Sequence, residues 1–249
     1  MKIIDIHTHL LYGIDDGAAD REMSLALIGR DYEQGVRGIF CTNHSYGMET
    51  EHQNYYRRFE ELCELVSARY PDLALYRGCE ILSCREDMPE IIKCIRDGIF
   101  PTMNGSNYVL MEFDPYGTAG VEEMRYSLEY ALDQGYYPII AHAERYRRIY
   151  KEPLQDLASL KELGCKVQIN LFSVEQDVGQ VRGSSRKELA NLFLEQGLVD
   201  FVGTDSHRLD YKSPEAAVGA EAIRQKYGDE YAELVLCRNA EMLLIGEEK

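Results

Sequence analysis

Residues 3–18 read IIDIHTHLLYGIDDGA, a short apolar run that ends at two histidines and continues into an acidic loop. Because Asp5 and His7 interrupt the run, we do not expect a signal peptide or a membrane anchor here. The pattern is typical of a buried β-strand with polar residues at its carboxyl end. In an extended strand His7 and His9 lie on one face and can bind the same metal ion. Ordinary hydrogen bonding of the two imidazoles is the alternative interpretation.

Similar apolar runs recur along the chain, and longer amphipathic stretches separate them. The predicted strands are Ile3–His7, Gly38–Thr42, Leu73–Glu80, Tyr108–Phe113, Pro138–His142, Lys166–Asn170 and Val199–Thr204. The predicted helices cover residues near 21–35, 51–70, 121–135, 153–164, 185–197, 214–227 and 230–243. Alternating strands and helices form right-handed units around a parallel sheet. We therefore predict an α/β fold, a distorted (β/α) barrel with about seven parallel strands, as a single domain over residues 1–249.

The composition excludes several classes of partner. The chain has 27 Lys and Arg against 43 Asp and Glu, a net charge of −16. Nucleic acids and anionic lipids bind clustered positive charge, so neither is an expected partner. No stretch approaches the roughly 18–20 apolar residues of a spanning helix, so we expect no membrane insertion. The 7 scattered cysteines contain no C-x-x-C pair, so we do not expect a zinc ribbon or a thioredoxin-type site. Because we expect neither a signal peptide nor a membrane anchor, a reducing cytoplasm is the expected compartment.

Side chains able to bind metal lie at or just after the ends of most predicted strands. In a parallel barrel these ends share the face that carries the active site. The candidates are His7, His9, His44, Glu80, Glu112, His142, Asp205 and His207, with Asp15 and Asp16 in the loop after the first strand. Each residue alone has an ordinary explanation as a solvated strand end or a turn. Taken together, they predict a metal cluster, and mixed imidazole and carboxylate ligands favour manganese, iron or zinc.

These segments resemble the PHP (polymerase and histidinol phosphatase) superfamily. They are most similar to the metal-dependent protein-tyrosine phosphatases of Gram-positive capsule and exopolysaccharide operons. The matching segments are IDIHTHLLYGIDDGA at 4–18, TNHS at 42–45, GCEI at 78–81, LMEF at 110–113, AHAERY at 141–146 and GTDSH at 203–207. The D-D-G loop and the A-H-x-E-R-Y segment point to the phosphatase branch of the superfamily.

The resemblance implies three divalent metal ions, with manganese as our first expectation and iron or zinc as alternatives. One metal would be held by His7, His9, Glu80 and Asp205. A second would be held by Glu80, Glu112 and His142, with Glu80 bridging the two metals. The third would be held by Asp16, His44 and His207. Asp15 would then either support the ligands or belong to the turn, and Asp15 in place of Asp16 as the ligand is the alternative.

We therefore expect a protein-tyrosine-phosphate phosphatase in which a metal-activated hydroxide attacks phosphorus in line. The leaving phenolate has a pKa of about 10, so a strong general acid is less necessary. Arg145 is a predicted phosphate clamp, because a guanidinium matches two phosphate oxygens. Arg208 is a weaker second clamp, and Asp210 is either a general acid or a turn residue. The related phosphatases carry an arginine a little beyond the D-x-H pair, where this chain has Lys212.

The resemblance also implies a substrate, the tyrosine-rich tail of a bacterial tyrosine kinase that controls capsule or exopolysaccharide synthesis. Three alternatives remain open. One is a histidinol-phosphate or other small phosphomonoester phosphatase on the same scaffold, and another is a metal-stabilised regulator that only binds partners. The third is a cysteine-dependent phosphatase, because Cys79 and Arg85 have the required C-x5-R spacing. However, the residues between them lack glycine, and Glu80 would repel phosphate.

Overall fold

A computed structural model describes residues 2–116, 120–175 and 186–244. Its strands are β1 (Ile3–Thr8), β2 (Val36–Cys41), β3 (Ala74–Arg77), β4 (Glu80–Leu82), β5 (Tyr108–Glu112), β6 (Tyr137–Ile140), β7 (Lys166–Asn170) and β8 (Phe201–Gly203). Its helices are α1 (Arg21–Glu33), α2 (Ser45–Arg69), α3 (Met88–Arg96), α4 (Val121–Asp133), α5 (Pro153–Lys161), α6 (Arg186–Glu195), α7 (Ala216–Tyr227), α8 (Asp229–Glu233) and α9 (Asn239–Glu241). A π-helical turn, Leu234–Arg238, joins the last two helices.

The described strands form two parallel sheets. One has the order β1-β2-β3 and the other the order β4-β5-β6-β7-β8. Isolated parallel bridges join the sheets on both sides, between Thr8 and Ser206 and between His44 and Glu80. The predicted α/β fold with parallel strands is therefore confirmed. The predicted barrel of about seven strands is not, because the described residues form two bridged sheets and no closed ladder.

The predicted strand Leu73–Glu80 is wrong as a single element, because the chain leaves the first sheet at Gly78. The Tyr55 hydroxyl accepts a hydrogen bond from the Gly78 N–H at 3.1 Å and donates to the Gly78 carbonyl at 3.0 Å. A Cβ at Gly78 would lie 2.8 Å from Thr42 Cγ2, so the close approach requires glycine. Glu80 N–H then donates to the Thr42 and Asn43 carbonyls at 3.1 and 3.2 Å, and a new strand begins.

Three helix predictions also need correction. Helix α3 was not predicted, although its buried face is strongly apolar. Helix α2 begins at Ser45 rather than near residue 51, because its first residues pack beside the loop after β1. The predicted helix 230–243 is two short helices joined by the π-helical turn.

The buried apolar side chains form two clusters. The larger one fills the space between the strands and the helices. The smaller one includes Ile4, Ile6, Phe40, Leu110, Ile139, Phe201, Met103 and Leu243. Alternating strand residues supply the two clusters, as expected for strands covered on both faces. No described helix is both long enough and apolar enough to cross a membrane.

The contact between α7 and the segment after β7 gives a stability prediction. A Cβ at Gly219 would lie 2.3 Å from the Leu171 carbonyl oxygen. Alanine normally stabilises a helix interior by about 1 kcal/mol relative to glycine. Here the backbone clash should outweigh that gain, so we expect Gly219→Ala to lower the free energy of unfolding by roughly 1–3 kcal/mol. Denaturant unfolding at matched metal content measures this change.

Gly120→Ala is the matched control, because no atom of the described residues outside its chain neighbours lies within 4 Å of a Cβ at Gly120 and its φ is not positive. We expect that variant to lose less than about 1 kcal/mol, the scale of an N-cap change. A Gly219→Ala protein as stable as the parent would show that α7 can move away from Leu171.

Candidate metal centre

All of the predicted metal ligands meet at one end of the strands. His7 lies near the end of β1, Glu112 ends β5, and Glu80 begins β4. The others lie in the segments that follow β1, β2, β6 and β8. Their donor atoms form overlapping groups in which the atoms lie within 4.8 Å of one another: His9, Asp16, His44 and His207; His7, Glu80 and His142; His7, His9 and Asp205; and His44, Glu80 and Glu112.

The Glu80 carboxylate lies at the centre of these groups. Its Oε2 is 3.2 Å from both His7 Nε2 and His9 Nε2 and 3.0 Å from His44 Nδ1. Its Oε1 lies 2.8 Å from His142 Nε2. Burial alone would raise the pKa of Glu80, but the neighbouring His7 and His44 lower it well below its ordinary value. Glu80 is therefore a buried, charged carboxylate that faces imidazoles through both oxygens.

Asp15 orients the site from outside the groups of donor atoms. Its Oδ2 accepts hydrogen bonds from His9 Nδ1 and from the His44 backbone N–H, both at 2.8 Å. Its Oδ1 accepts from Asn43 Nδ2 at 2.8 Å and from the Gly17 N–H at 3.0 Å. Burial opposes its ionisation, but His9 and His44 hold the pKa of Asp15 below its usual range. These bonds occupy both oxygens of the carboxylate, so Asp15 acts as a support.

Asp16 has the opposite environment. Its side chain is 59% exposed, and its Oδ1 lies 3.7 Å from His44 Nε2 and 3.6 Å from His207 Nε2. His207 Nδ1 donates to the Asp205 carbonyl at 2.9 Å, which leaves Nε2 free to face Asp16. The structure therefore brings Asp16, and not Asp15, into the third predicted group.

Two residues of β7 that the sequence patterns do not single out orient further candidate ligands. Gln168 Oε1 accepts from the His142 N–H at 2.6 Å and lies 3.2 Å from His7 Nδ1. A proton on His7 Nδ1 donates to this oxygen, and His7 Nε2 is then the ring nitrogen that faces Glu80 and could bind a cation. Asn170 Nδ2 donates to Asp205 Oδ2 at 2.9 Å, and Gln168 Nε2 donates to Asn170 Oδ1 at 2.9 Å. The available signal was two alternating amides in a strand whose other residues are mostly apolar.

Two of the ligand candidates have strained backbones. His142 has φ 31° and Asp205 has φ 53°, both in the left-handed region that non-glycine residues rarely adopt. The Asp205 N–H donates to the His7 carbonyl at 2.8 Å, and the Gln168 side chain holds the His142 N–H. Such strain persists only where the surroundings over-determine the conformation, and it concentrates at functional sites.

Cationic side chains surround the acidic centre. Arg145 Nη1 lies 3.6 Å from Asp205 Oδ2 and 3.8 Å from Glu112 Oε1, and its side chain is only 15% exposed. Lys212 Nζ donates to both Asp205 oxygens, at 2.9 and 3.1 Å. Arg208 is on the outer rim, where its Nε lies 3.3 Å from Asp210 Oδ1. Arg145 and Lys212 therefore border the metal ligands, whereas Arg208 and Asp210 pair with each other near solvent.

The donor atoms fit divalent cations. Glu80 Oε2, His44 Nδ1 and His142 Nδ1 are buried and have no hydrogen-bond partner within the described part of the chain. Glu80 Oε2 nevertheless has three imidazole nitrogens within 3.2 Å. Imidazole nitrogens and carboxylate oxygens that lie this close together suit a bound cation. Nitrogen and carboxylate oxygen donors without a thiolate are typical of manganese, iron and zinc sites.

The cysteine-dependent alternative does not fit this geometry. Cys79 is buried, and burial together with Glu80 raises the pKa of its thiol well above the ordinary value. Arg85 points elsewhere, with Nη1 3.7 Å from Glu123 Oε1 and its guanidinium over the Tyr126 ring. A nucleophilic cysteine needs a lowered pKa and an anion-binding loop, and this segment has neither.

A parallel α/β fold with buried imidazoles and carboxylates at the strand ends defines a metal-binding protein with the donor set of a metallohydrolase. Residues 3–245 match the family described as capsular polysaccharide synthesis, CpsB/CapC, and the chain belongs to this family. It is 31% identical to the tyrosine-protein phosphatase CpsB of Streptococcus pneumoniae, over 98% of this chain and 99% of the relative.

Solved structures agree with this assignment. The fold matches a chain from the crystal structures of YwqE from Bacillus subtilis and CpsB from Streptococcus pneumoniae, described as unique metal-dependent tyrosine phosphatases. That match has a TM-score of 0.81 and 25% identity, over 97% of this chain and 94% of the other. A histidinol phosphate phosphatase from Lactococcus lactis has a TM-score of 0.54 at 16% identity, over 92% of this chain and 94% of the other. This second similarity concerns the fold alone.

The hydrogen bonds of Gln168 predict a role in metal retention. Gln168→Met keeps the side-chain length but removes the acceptor that orients His7 and holds the His142 N–H. Outer partners of metal-binding histidines are typically worth 10–100-fold in affinity, so we expect manganese binding about 10–100-fold weaker. Competition with a fluorescent chelator measures the dissociation constant.

Gln225→Met is the control, because Gln225 is exposed and bonds only to Glu221 among its described contacts. Its manganese affinity should equal that of the parent. An unchanged affinity in Gln168→Met would mean that β7 supports the fold without orienting the ligands.

Proposed function

We propose that this chain is a metal-dependent phosphatase that hydrolyses protein phosphotyrosine in capsule or exopolysaccharide synthesis. The observation that carries the proposal is the buried Glu80 carboxylate, which faces imidazoles through both oxygens, with Arg145 beside the same group of ligands. The family and the named relatives supply the substrate class and the process.

The proposed centre holds three divalent cations, manganese first, with iron or zinc as alternatives. The proposed ligands are His7, His9, Glu80 and Asp205 for one metal, Glu80, Glu112 and His142 for the second, and Asp16, His44 and His207 for the third. The close groups of donor atoms support this assignment, and His9 lies near enough to join the third group as well. Bound divalent cations would supply a nucleophile at neutral pH and neutralise charge on the phosphoryl oxygens.

The side chains around the centre have distinct proposed roles. Arg145 binds two phosphate oxygens, because its guanidinium is mostly buried beside the ligands and its Nε has no described hydrogen-bond partner. Lys212 holds Asp205 in place through both carboxylate oxygens. Arg208 adds a second cation at the rim. Asp210 protonates the leaving group, which is an undemanding task because a phenolate has a pKa of about 10.

The proposed substrate is the tyrosine-rich tail of a bacterial tyrosine kinase. The proposed compartment is a reducing cytoplasm, supported by the 7 cysteines, all of which are unpaired. We also propose that residues 1–249 form one domain and that its two sheets are parts of one distorted barrel. The family match over residues 3–245 and the bridges on both sides of the sheets support this arrangement.

The second candidate function is hydrolysis of histidinol phosphate or another small phosphomonoester. It would use the same centre, and the fold similarity to the Lactococcus lactis enzyme favours testing it. The ratio of turnover on a phosphotyrosine peptide to turnover on histidinol phosphate separates the two functions. A regulator that only binds partners would turn over neither substrate.

The proposal predicts a specific pattern of lost activity. Chelator and His142→Ala should each lower turnover of p-nitrophenyl phosphate and of a phosphotyrosine peptide by more than about 100-fold. This loss is larger than the loss of about 10–100-fold that is typical when a residue supporting a metal ligand is replaced. Cys79→Ser should keep most of the activity, because its buried thiol stays protonated. Steady-state assays with added manganese measure all three. A dead Cys79→Ser enzyme that tolerates chelator would refute the metal mechanism.

The third metal makes a separate prediction about stoichiometry. Asp16→Ala should lower the bound manganese from three ions per chain to two, because the third group is the one set of proposed ligands to which the exposed Asp16 carboxylate belongs. Asp210→Ala removes another exposed carboxylate from the same rim and should retain three ions. Elemental analysis after gel filtration counts the metals. Equal metal content in parent and Asp16→Ala would remove Asp16 from the ligand set.

A further inference from the structure

Two half-exposed tyrosines border the metal centre. Tyr46 is 50% exposed and Tyr211 is 52% exposed, although aromatic rings of this size usually bury most of their area. The Tyr46 ring stacks on the His44 imidazole with centroids 5.0 Å apart. The Tyr211 ring lies edge-on to the His207 imidazole with centroids 6.1 Å apart. Because these two imidazoles are 6.0 Å apart, the tyrosines flank one pair of candidate ligands.

Local structure holds both rings in place. Tyr46 lies in the first turn of α2, and its hydroxyl donates to Asp16 Oδ1 at 3.1 Å. Tyr211 lies in a tight hairpin, in which Arg208 and Tyr211 exchange backbone hydrogen bonds of 3.0 and 3.3 Å. Arg208 Cζ and Lys212 Nζ each lie 5.9 Å from the centre of the Tyr211 ring. Neither ring belongs to the two apolar clusters. Instead, the rings contact the imidazoles of His44 and His207.

Exposure increases from the centre of the site outward. The Glu80 side chain is 1% exposed, Arg145 is 15% exposed, and the two tyrosines are about half exposed. A phosphate bound by Arg145 and the ligand groups would therefore lie deep, with its ester group directed toward solvent. In an aryl phosphate the ring is one oxygen away from phosphorus, so it would lie at the depth of these tyrosines.

We propose that Tyr46 and Tyr211 contact the aromatic ring of the substrate and select aryl over alkyl phosphate monoesters. This inference rests on the proposed phosphatase function and assigns its preference for tyrosine to two residues. Aromatic pairs add a modest stabilisation beyond buried area, equivalent to roughly 2–10-fold in affinity for each ring. The Tyr46 hydroxyl has a different role, because it supports Asp16.

The test compares two unreactive ligands, phenylphosphonate and methylphosphonate, on the manganese-loaded protein. Calorimetry gives both dissociation constants, and their ratio reports ring recognition separately from phosphate binding. We expect Tyr46→Ala and Tyr211→Ala each to lower the preference for phenylphosphonate, measured as the ratio of the two dissociation constants, roughly 2–10-fold. Tyr46→Phe and Tyr211→Phe keep the rings and should keep the parent ratio. Metal content is measured for each variant.

Tyr137→Ala is the control for a general loss of aromatic surface. Tyr137 is 47% exposed but begins β6, at the opposite end of the strands from the ligands. Its ratio should equal that of the parent. An unchanged ratio in both Tyr46→Ala and Tyr211→Ala, at full metal content, would overturn the inference.

A phosphatase assay on the same parent protein separates this inference from the proposed function. A parent enzyme that hydrolyses the phosphotyrosine peptide, with alanine variants of unchanged ratio, would leave the phosphatase proposal standing and refute the role of the rings. A parent without phosphatase activity, whose ligand ratio still falls in the alanine variants, would refute the enzyme proposal and support an aryl-anion site.

Discussion

The site depends on one buried negative charge, the carboxylate of Glu80. An unpaired carboxylate in this position would be strongly destabilising, because burial removes its hydration. Imidazoles from His7, His9, His44 and His142 surround it at 2.8–3.2 Å and offset that cost. These histidines come from segments distant in sequence, so the charge also holds the ends of β1, β2 and β6 close together. The same geometry allows Glu80 to bridge two cations.

The outer contacts convert this cluster into an ordered set of donors. Asp15 fixes the ring of His9, and Gln168 fixes that of His7, each through Nδ1. The two Nε2 atoms therefore face inward, 3.3 Å apart, where they could both act as lone-pair donors to a bound cation. Asn170 and Lys212 hold the Asp205 carboxylate from two sides. The backbone strain at the ligands after β6 and β8 is tolerated because these bonds leave few other conformations.

Sequence patterns predict most of the strands and the candidate ligands at their ends. They do not predict the break at Gly78 or the supporting amides of β7, because these depend on contacts between distant segments. Apolar runs ending in His or Glu are rare by chance, so the strands and the ligands they carry could be recognised. The break between β3 and β4 at Gly78 could not be recognised from the sequence. It depends on the Tyr55 hydroxyl of α2, which hydrogen-bonds to the Gly78 backbone. The supporting amides of β7 carry no metal-binding chemistry of their own. Their role follows only from distances to His7 and Asp205, which local patterns do not contain.

Charge balance links metal binding to substrate binding in this acidic chain. The centre collects the carboxylates of Asp15, Asp16, Glu80, Glu112 and Asp205, whereas the nearest fixed cations are Arg145 and Lys212. Lys212 is committed to Asp205, and this interaction helps to hold the pKa of that carboxyl well below its usual value despite burial. Arg145 alone cannot offset so much negative charge for an incoming phosphate dianion. In the proposed metal centre, divalent cations would reverse the sign of the field, so the ions proposed to supply the nucleophile would also help the anionic substrate to enter.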